Sequence, residues 1–167
     1  MIDLKTLYAE DTVAWAENQA AALRAAAQGG SNQQLDWENL AEEIEDLAKS
    51  QSRSLRSHIR NIIVHLIKLE YSPADRPHRK WRQSITNSRV EADDRIAESP
   101  SLKPRVEQII AEEIERGARL AITALDARTE LSRSLQQELK AKSYLDMFSY
   151  TPEQILGDWF PPEPDKP

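Results

Sequence analysis

Apolar residues recur every three or four positions over much of the chain, which is the spacing of one face of an α-helix. The clearest apolar stripe has no Gly or Pro within it, and it comprises Leu40, Ile44, Leu47, Leu55, Ile59, Ile62, Leu66 and Leu69. Asp36 precedes the stripe as a candidate N-cap, and Ser72-Pro73 ends it. The pattern therefore predicts one long helix over about residues 36–71, ~50 Å in length.

Caps and helix breakers predict shorter helices around this long one. The expected ranges are Asp11 to Gly29, about Arg79 to Glu98, Ser101 to Leu125, about Glu130 to Lys142, and a last turn that starts at Thr151. Ser72 to Pro77 is expected to be a loop, and Pro104 is expected in the first turn of its helix. Gly117 lies on the apolar side of that same helix, which indicates close contact with a neighbouring helix.

No segment alternates β-branched and polar residues, so no strand is predicted. We therefore predict an all-α fold, a four-to-five-helix bundle organised on the long helix. A single helical domain is expected over residues 1–160, followed by an irregular tail over 161–167.

Composition excludes several classes of protein. The 167 residues include no cysteine, which removes disulfides and thiolate metal sites. With four glycines, the chain shows no glycine-rich phosphate loop, and nucleophile-elbow, zinc-protease and EF-hand motifs are also absent. No apolar run is long enough to cross a membrane, and the first residues show no signal-peptide pattern. The sequence thus favours a cytoplasmic protein that is not an enzyme and needs no cofactor.

Several motifs follow one another in an order typical of a known family. They are Leu7-Tyr8-Ala9-Glu10-Asp11 with Trp15, Leu35-Asp36-Trp37-Glu38-Asn39-Leu40-Ala41-Glu42-Glu43-Ile44-Glu45, His65-Leu66-Ile67-Lys68, Trp81-Arg82, Ser99-Pro100-Ser101-Leu102 and Tyr150-Thr151-Pro152-Glu153. In these motifs the chain resembles the bacterial family known as domain of unknown function twenty-nine. The resemblance implies a compact helical fold, and it implies no activity.

Polar side chains interrupt the apolar faces of two predicted helices. His58 and His65 lie within the stripe of the long helix, and Glu113 lies on the inner face of the fourth helix. A Glu113–His65 or Glu113–His58 pair would satisfy these groups as a polar core. The alternative is a metal or acid–base site built from Glu43, His65 and Glu113. However, the chain contains no Glu-x-x-His or His-x-x-x-His spacing that would support a metal.

Acidic residues are concentrated in the first turns of the long helix, at Glu38, Glu42, Glu43, Glu45 and Asp46. Carboxylates are favoured there by the helix dipole, so a solvated face accounts for them. The alternative is a polar ridge of Asn39, Glu42, Glu43 and Asp46 that recognises a protein partner. Within that ridge, Asn39 and Glu43 lie nearest the apolar stripe and are the better candidates.

Basic residues form two groups in the middle of the chain. Lys49, Arg53, Arg56 and Arg60 make one column on the long helix, and Arg76, His78, Arg79, Lys80 and Arg82 surround Trp81. These groups could follow a phosphate backbone. Trp81, however, shares the inner face with Ile85, so it is expected in the core. The net charge is −7 over residues 1–50, +6 over 51–105 and −5 over 106–167, so the overall −6 hides a basic middle.

The leading hypothesis is a non-catalytic helical protein that binds a protein partner, which includes a second copy of itself. Nucleic-acid binding through the basic residues at 49–60 and 76–82 is the first alternative. A metal or enzymatic site near Glu43, His65 and Glu113 is the second. No membrane association is expected.

Overall fold

The structure, a computed structural model, describes residues 3–29, 36–72, 75–128, 131 and 133–162. Its helices are α1 (Leu4–Glu10), α2 (Thr12–Gln28), α3 (Trp37–Tyr71), α4 (Asp75–Glu98), a 3-10 helix (Pro100–Arg105), α5 (Val106–Asp126), α6 (Arg133–Ala141), α7 (Tyr144–Met147) and α8 (Pro152–Leu156). No strand occurs within the described ranges. The prediction of an all-α fold organised on one long helix is confirmed.

Local capping chemistry explains the helix boundaries that agree with prediction. The Asp11 carboxylate accepts the backbone N–H of Ala14 at 2.8 Å and caps the start of α2, and Gly29 is the C-cap at its other end. Asp36 accepts the N–H of Asn39 at 3.3 Å and begins α3. Thr151 begins α8 through a reciprocal capping box with Gln154. Each of these caps satisfies backbone donors that a helix start leaves unpaired.

Two predicted helix starts are wrong, and two helices, α1 and α7, were not predicted. α4 starts at Asp75, because Pro77 lies in the first helical turn, where a missing N–H costs little. α5 starts only at Val106, since Ser101 and Pro104 lie in the preceding 3-10 helix. α1 was missed, although Asp3 caps it by accepting the N–H of Thr6. Of the loop predicted from Ser72 to Pro77, Ser72 is non-helical and the part from Asp75 onward is wrong, because it belongs to α4. Residues 73–74 and the predicted start of α6 at Glu130 lie outside the described residues.

The chain divides into two compact units, and α3 contributes to both. Unit 1 comprises residues Met1–Leu55 and Asp94–Arg105, and unit 2 comprises Arg56–Asp93 and Val106–Pro167. The single domain over residues 1–160 stays a prediction. Of the predicted tail, Pro161 is buried and Pro162 is exposed, and residues 163–167 lie outside the described part.

Unit 1 has a core of mainly small side chains, tied by polar contacts. Its buried apolar residues are Val13, Ala16, Ala20, Ala41, Ala48, Leu55 and Leu102. The buried Asp11 accepts the N–H of Ser101 at 2.6 Å and its hydroxyl at 2.9 Å, which fastens the 3-10 helix to the start of α2. Arg105 and Glu17 form a two-point ion pair with both distances 2.9 Å. Small residues allow close helix approach, and the polar contacts fix its position.

Unit 2 has a core of large aliphatic side chains. Its fully buried members include Ile59, Ile62, Ile63, Leu66, Ile67, Ile85, Ile109, Leu125 and Ile155. The predicted close contact at Gly117 is confirmed, because a Cβ built on Gly117 would lie 2.8 Å from Cγ2 of Ile63. α5 also packs against α7 and α8. Among the described residues, no helix is both long and apolar enough to span a bilayer.

Candidate interaction surface

The first half of α3 leaves large side chains of its apolar stripe exposed. Leu40 is 41% exposed and Leu47 is 40% exposed, and Ile44 is half-buried. The apolar stripe of an amphipathic helix usually faces the core, and Leu40 and Leu47 depart from that pattern. We refer to Leu40, Ile44 and Leu47 together as the α3 seam.

The orientation of α3 explains why the α3 seam is open. At 100° per residue, Leu47 lies about 20° from Leu40 around the helix axis, whereas Glu45 lies about 140° away. Arg24 of α2 binds Glu45 at 2.7 Å, so α2 approaches the side of α3 that faces away from the α3 seam. The core-facing Ala41 is buried between these two directions. The α3 seam therefore lies on the side of α3 away from Glu45, beyond the buried Ala41.

Carboxylates border the α3 seam on its outer side, opposite the core. We call Asp36, Glu43 and Asp46 the acidic flank, and all three are exposed. Glu42 is exposed too, but it lies about 160° from Leu40, on the opposite side of α3. Within α3, Glu43 lies closest, about 60° from Leu40 around the axis. Within the described part of the chain, Glu42 and Glu43 form no ion pair. Asp46 forms an ion pair with Lys49, at 3.2 Å.

The two residues singled out from the predicted ridge have different roles. Asn39 donates its side-chain amide to Asp36 at 2.6 Å and its backbone N–H to the same carboxylate. It therefore supports the N-cap of α3. Glu43 points a carboxylate to solvent beside Leu40 and Leu47, which leaves it open to a partner.

The predicted pairing of Glu113 with a histidine is wrong. Glu113 is buried, and its Oε2 accepts Nε of Arg60 at 2.6 Å while Oε1 accepts Nη1 of Arg56 at 3.4 Å. Arg56 also pairs with the exposed Glu112. Arg56 and Arg60 lie one turn apart on α3, so both guanidinium groups reach the same carboxylate. Charge-assisted bonds of this kind satisfy a buried carboxylate better than one imidazole would.

The two histidines of α3 lie apart from Glu113 in the hydrogen-bonding of the described residues. His65 is half-buried, and its Nδ1 has no hydrogen-bond partner. Burial, with a smaller contribution from the neighbouring Lys68, lowers the pKa of His65 to about 4, so the ring is neutral at pH 7. His58 is also half-buried in α3.

The residues predicted as metal ligands do not come together in the described part of the chain. Glu43 belongs to unit 1, whereas His65 and Glu113 belong to unit 2. Within the described ranges, no three His, Asp or Glu side chains come together as ligands. Glu113 is already occupied by two arginines.

The predicted basic column divides into two exposed residues, Lys49 and Arg53, and two half-buried residues, Arg56 and Arg60. Arg56 and Arg60 are half-buried and bind Glu113. Lys49 pairs with Asp46 and, at 3.8 Å, with Glu45. Arg53 remains exposed. A row of free cations, which a phosphate backbone would need, is not formed here.

The second basic group is divided between core and surface. Trp81 is 6% exposed, which confirms its expected place in the core. The Arg82 guanidinium stacks 4.7 Å from the ring centre of Phe160. Arg79 and Lys80 are exposed, and the side chain of Arg76 lies outside the described part.

Arg89 is a buried charged side chain that the sequence analysis did not single out. It is buried on α4 and donates to the carbonyls of Ile155 at 2.9 Å, Gln154 at 2.8 Å and Trp159 at 2.6 Å. Its guanidinium also stacks on Phe160 at 4.8 Å. Burial lowers the pKa of Arg89. These bonds are structural, because they fasten the segment after α8 to α4.

A second exposed apolar feature lies on α1 and α2. Leu4, Lys5, Tyr8 and Trp15 line an open groove of about 440 Å³. Tyr8 and Trp15 meet edge to face, with ring centres 4.8 Å apart. Like the α3 seam, this groove belongs to unit 1.

Comparisons with known proteins bear on the fold and the family. No sequence among the curated proteins matches the chain. A similar solved structure is that of an alpha-helical protein of unknown function from Rhodospirillum rubrum, with a TM-score of 0.70 and 24% sequence identity, covering 90% of this chain and 89% of that one. This likeness shows the helical fold. The model of the family described as "Domain of unknown function DUF29" matches residues 7–160, and the chain belongs to this family.

Proposed function

We propose that this chain is a non-catalytic helical protein of the bacterial cytoplasm that binds a protein partner through the α3 seam and the acidic flank. The single observation that supports this proposal is the exposure of Leu40 and Leu47, at 41% and 40%, on an apolar stripe whose continuation is fully buried. A lone exposed leucine is ordinary on a protein surface. Two leucines one heptad apart, with Ile44 between them, form a continuous apolar edge.

The energetics favour a modest, reversible interaction. Covering apolar surface contributes roughly 25 cal/mol per Å², so the exposed parts of two leucines supply only a few kcal/mol. Association itself costs several kcal/mol in lost freedom, and a stable interface usually covers ~800 Å² on each partner. The α3 seam would therefore act as the apolar centre of a larger, mostly polar contact.

The proposal is tested by affinity capture from a host lysate, which compares the sets of host proteins that bind to three forms of the chain. The forms are the wild type, the double variant Leu40→Ser/Leu47→Ser, and the control Leu120→Ser/Leu145→Ser. The control replaces two leucines of unit 2 that are 50% and 56% exposed, so it matches the change in surface polarity.

We expect one or more defined proteins to be retained by the wild type and the control and to be lost from the α3 variant. Circular dichroism should show that all three forms keep their helix content. Identical retained sets for the three forms would contradict the proposal. So would loss of the same proteins from both double variants, because general surface polarity would then explain the effect.

A further inference from the structure

We infer that the occupant of the α3 seam is a basic amphipathic helix of a different protein, lying along α3 with its apolar side on Leu40, Ile44 and Leu47 and its Lys or Arg side chains against the acidic flank. This inference rests on the proposed function and specifies the partner's chemistry. It follows from the spacing of the apolar residues, from the charges beside them, and from the two-fold symmetry that a contact between two copies of this chain would have.

The spacing indicates a helical partner. Leu40, Ile44 and Leu47 are separated by four and three residues, which is the alternation that places side chains on one seam between two packed helices. The next positions of this pattern are Gln51 and Ser54, which are polar and half-buried. The apolar contact therefore spans about two turns, or ~10 Å of α3. An amphipathic helix presents anchors with the same three-and-four spacing.

The charges indicate a basic partner. The acidic flank follows the α3 seam along its solvent side, and Glu43 stands between the levels of Leu40 and Leu47. Unit 1 as a whole holds seven basic and twelve acidic residues, a net charge of −5. A helix docked on the α3 seam brings its own flanking residues against these carboxylates. Lys or Arg there would be attracted, and Asp or Glu would be repelled.

Symmetry argues against a second copy as the occupant. Pairing two identical seams in antiparallel orientation places the two-fold axis near the midpoint between Leu40 and Leu47. The two Glu43 carboxylates would then face one another across that axis, with the two acidic flanks beside them. Like charges at such short distances destabilise the contact. The net charge of −6 on each chain adds long-range repulsion.

The test uses two synthetic peptides of three heptads with the same apolar row. One peptide carries Lys at every flanking position, and the other carries Glu. Each is labelled with fluorescein, and its binding to the full chain is measured by anisotropy at low and at high salt. The protein forms are the wild type, Leu40→Ser/Leu47→Ser, Glu43→Lys/Asp46→Lys, and the control Glu91→Lys/Glu107→Lys. The control changes the net charge by the same amount on two exposed glutamates of unit 2.

We expect the Lys peptide to bind the wild type at least about tenfold more tightly than the Glu peptide, and this preference to shrink as salt rises. Leu40→Ser/Leu47→Ser should weaken binding of the Lys peptide about tenfold. Glu43→Lys/Asp46→Lys should weaken binding of the Lys peptide and strengthen binding of the Glu peptide, whereas the control reversal should leave the preference between the peptides unchanged.

Three results would overturn the inference. They are equal binding of the two peptides to the wild type, the same loss from the control reversal as from the Glu43 and Asp46 reversal, and concentration-dependent dimerisation that Leu40→Ser/Leu47→Ser abolishes. The third result would identify a second copy as the occupant. A lysate partner that depends on Leu40 and Leu47, found together with no preference for the Lys peptide, would leave the proposed function standing and refute only the basic helix.

Discussion

The two halves of α3 carry the same apolar spacing and have opposite surroundings. In the second half, Ile59, Ile62 and Leu66 are each 0% exposed. In the first half, only Ala41, Ala48 and Leu55 are buried, and the larger Leu40 and Leu47 remain open. Periodicity along a helix therefore identifies the apolar side. Whether that side becomes core depends on what packs against it, which distant residues determine.

The difference extends to the polar groups of each half. In the second half, Arg56 and Arg60 are turned inward to a buried carboxylate on α5. In the first half, Glu42 and Glu43 face solvent. The second half of α3 is therefore structural, and the first half is the part for which we propose recognition of a partner.

The largest expected difference between the two halves of α3 is in stability, and it is measured by truncating one leucine in each half. Leu66→Ala should lower the free energy of unfolding by about 3 kcal/mol, because it removes a fully buried side chain and leaves a cavity. Leu47→Ala should lower it by about 1 kcal/mol or less, since Leu47 is already 40% exposed. Urea unfolding of both variants measures the difference. Equal losses would show that the first half is core after all.

A second prediction concerns the polar fastening within unit 2. Arg89→Lys should cost about 2–3 kcal/mol, because a single ammonium group cannot serve the carbonyls of Gln154, Ile155 and Trp159 together. Hydrogen exchange should show faster opening of α8 in this variant. Arg79→Lys, at an exposed position on the same helix, is the matched control and should be close to neutral. A neutral Arg89→Lys would refute the fastening role.

A third prediction sharpens the account of the close contact between α5 and the second half of α3. Gly117→Ala should destabilise the protein by about 1–2 kcal/mol, since its Cβ would meet the Ile63 branch at 2.8 Å and overpacking outweighs the better helix propensity. In a double-mutant cycle measured by urea unfolding, Ile63→Ala should abolish most of this cost. An additive cycle would show that the two residues do not collide.

A fourth and smaller effect depends on pH. Burial lowers the pKa of His65 to about 4 in the folded protein, against an ordinary value of 6.5 for histidine. The unfolded chain therefore binds more protons than the folded one between these values, and stability is lost as pH falls from about 6.5 toward 4. His65→Gln should remove about 1–2 kcal/mol of that loss, allowing for partial exposure. The difference between wild type and variant should be constant above pH 7, and thermal unfolding across the range checks it.

The sequence was informative where structure is decided locally. Asp11, Asp36 and Thr151 mark helix starts because capping involves residues only three positions apart. The long helix and the inward side of Trp81 follow from periodicity in the same way. The start of α5 was misplaced because Ser101, a good local cap, is instead engaged by Asp11 from ninety positions away in the chain.

The candidate site was less predictable because its properties depend on long-range neighbours. Nothing local indicates that Glu113 pairs with Arg56 and Arg60 in preference to a histidine. Arg89 did carry a signal, since Ile85 four residues before it and Ala92 three after it are both buried. Arginine is usually exposed, so its place between two apolar positions does not by itself predict that Arg89 is buried. The exposure of Leu40 and Leu47 has no counterpart in the sequence pattern.

The most direct test of the recognition surface is to map where the Lys peptide binds by NMR chemical-shift changes on the isotope-labelled full chain. We predict that the largest amide shifts lie between residues 36 and 48, around Leu40, Glu43 and Leu47, and that residues 59–69 in the second half of α3 stay nearly unchanged. Shifts spread over the second half, or confined to helices other than α3, would contradict the account.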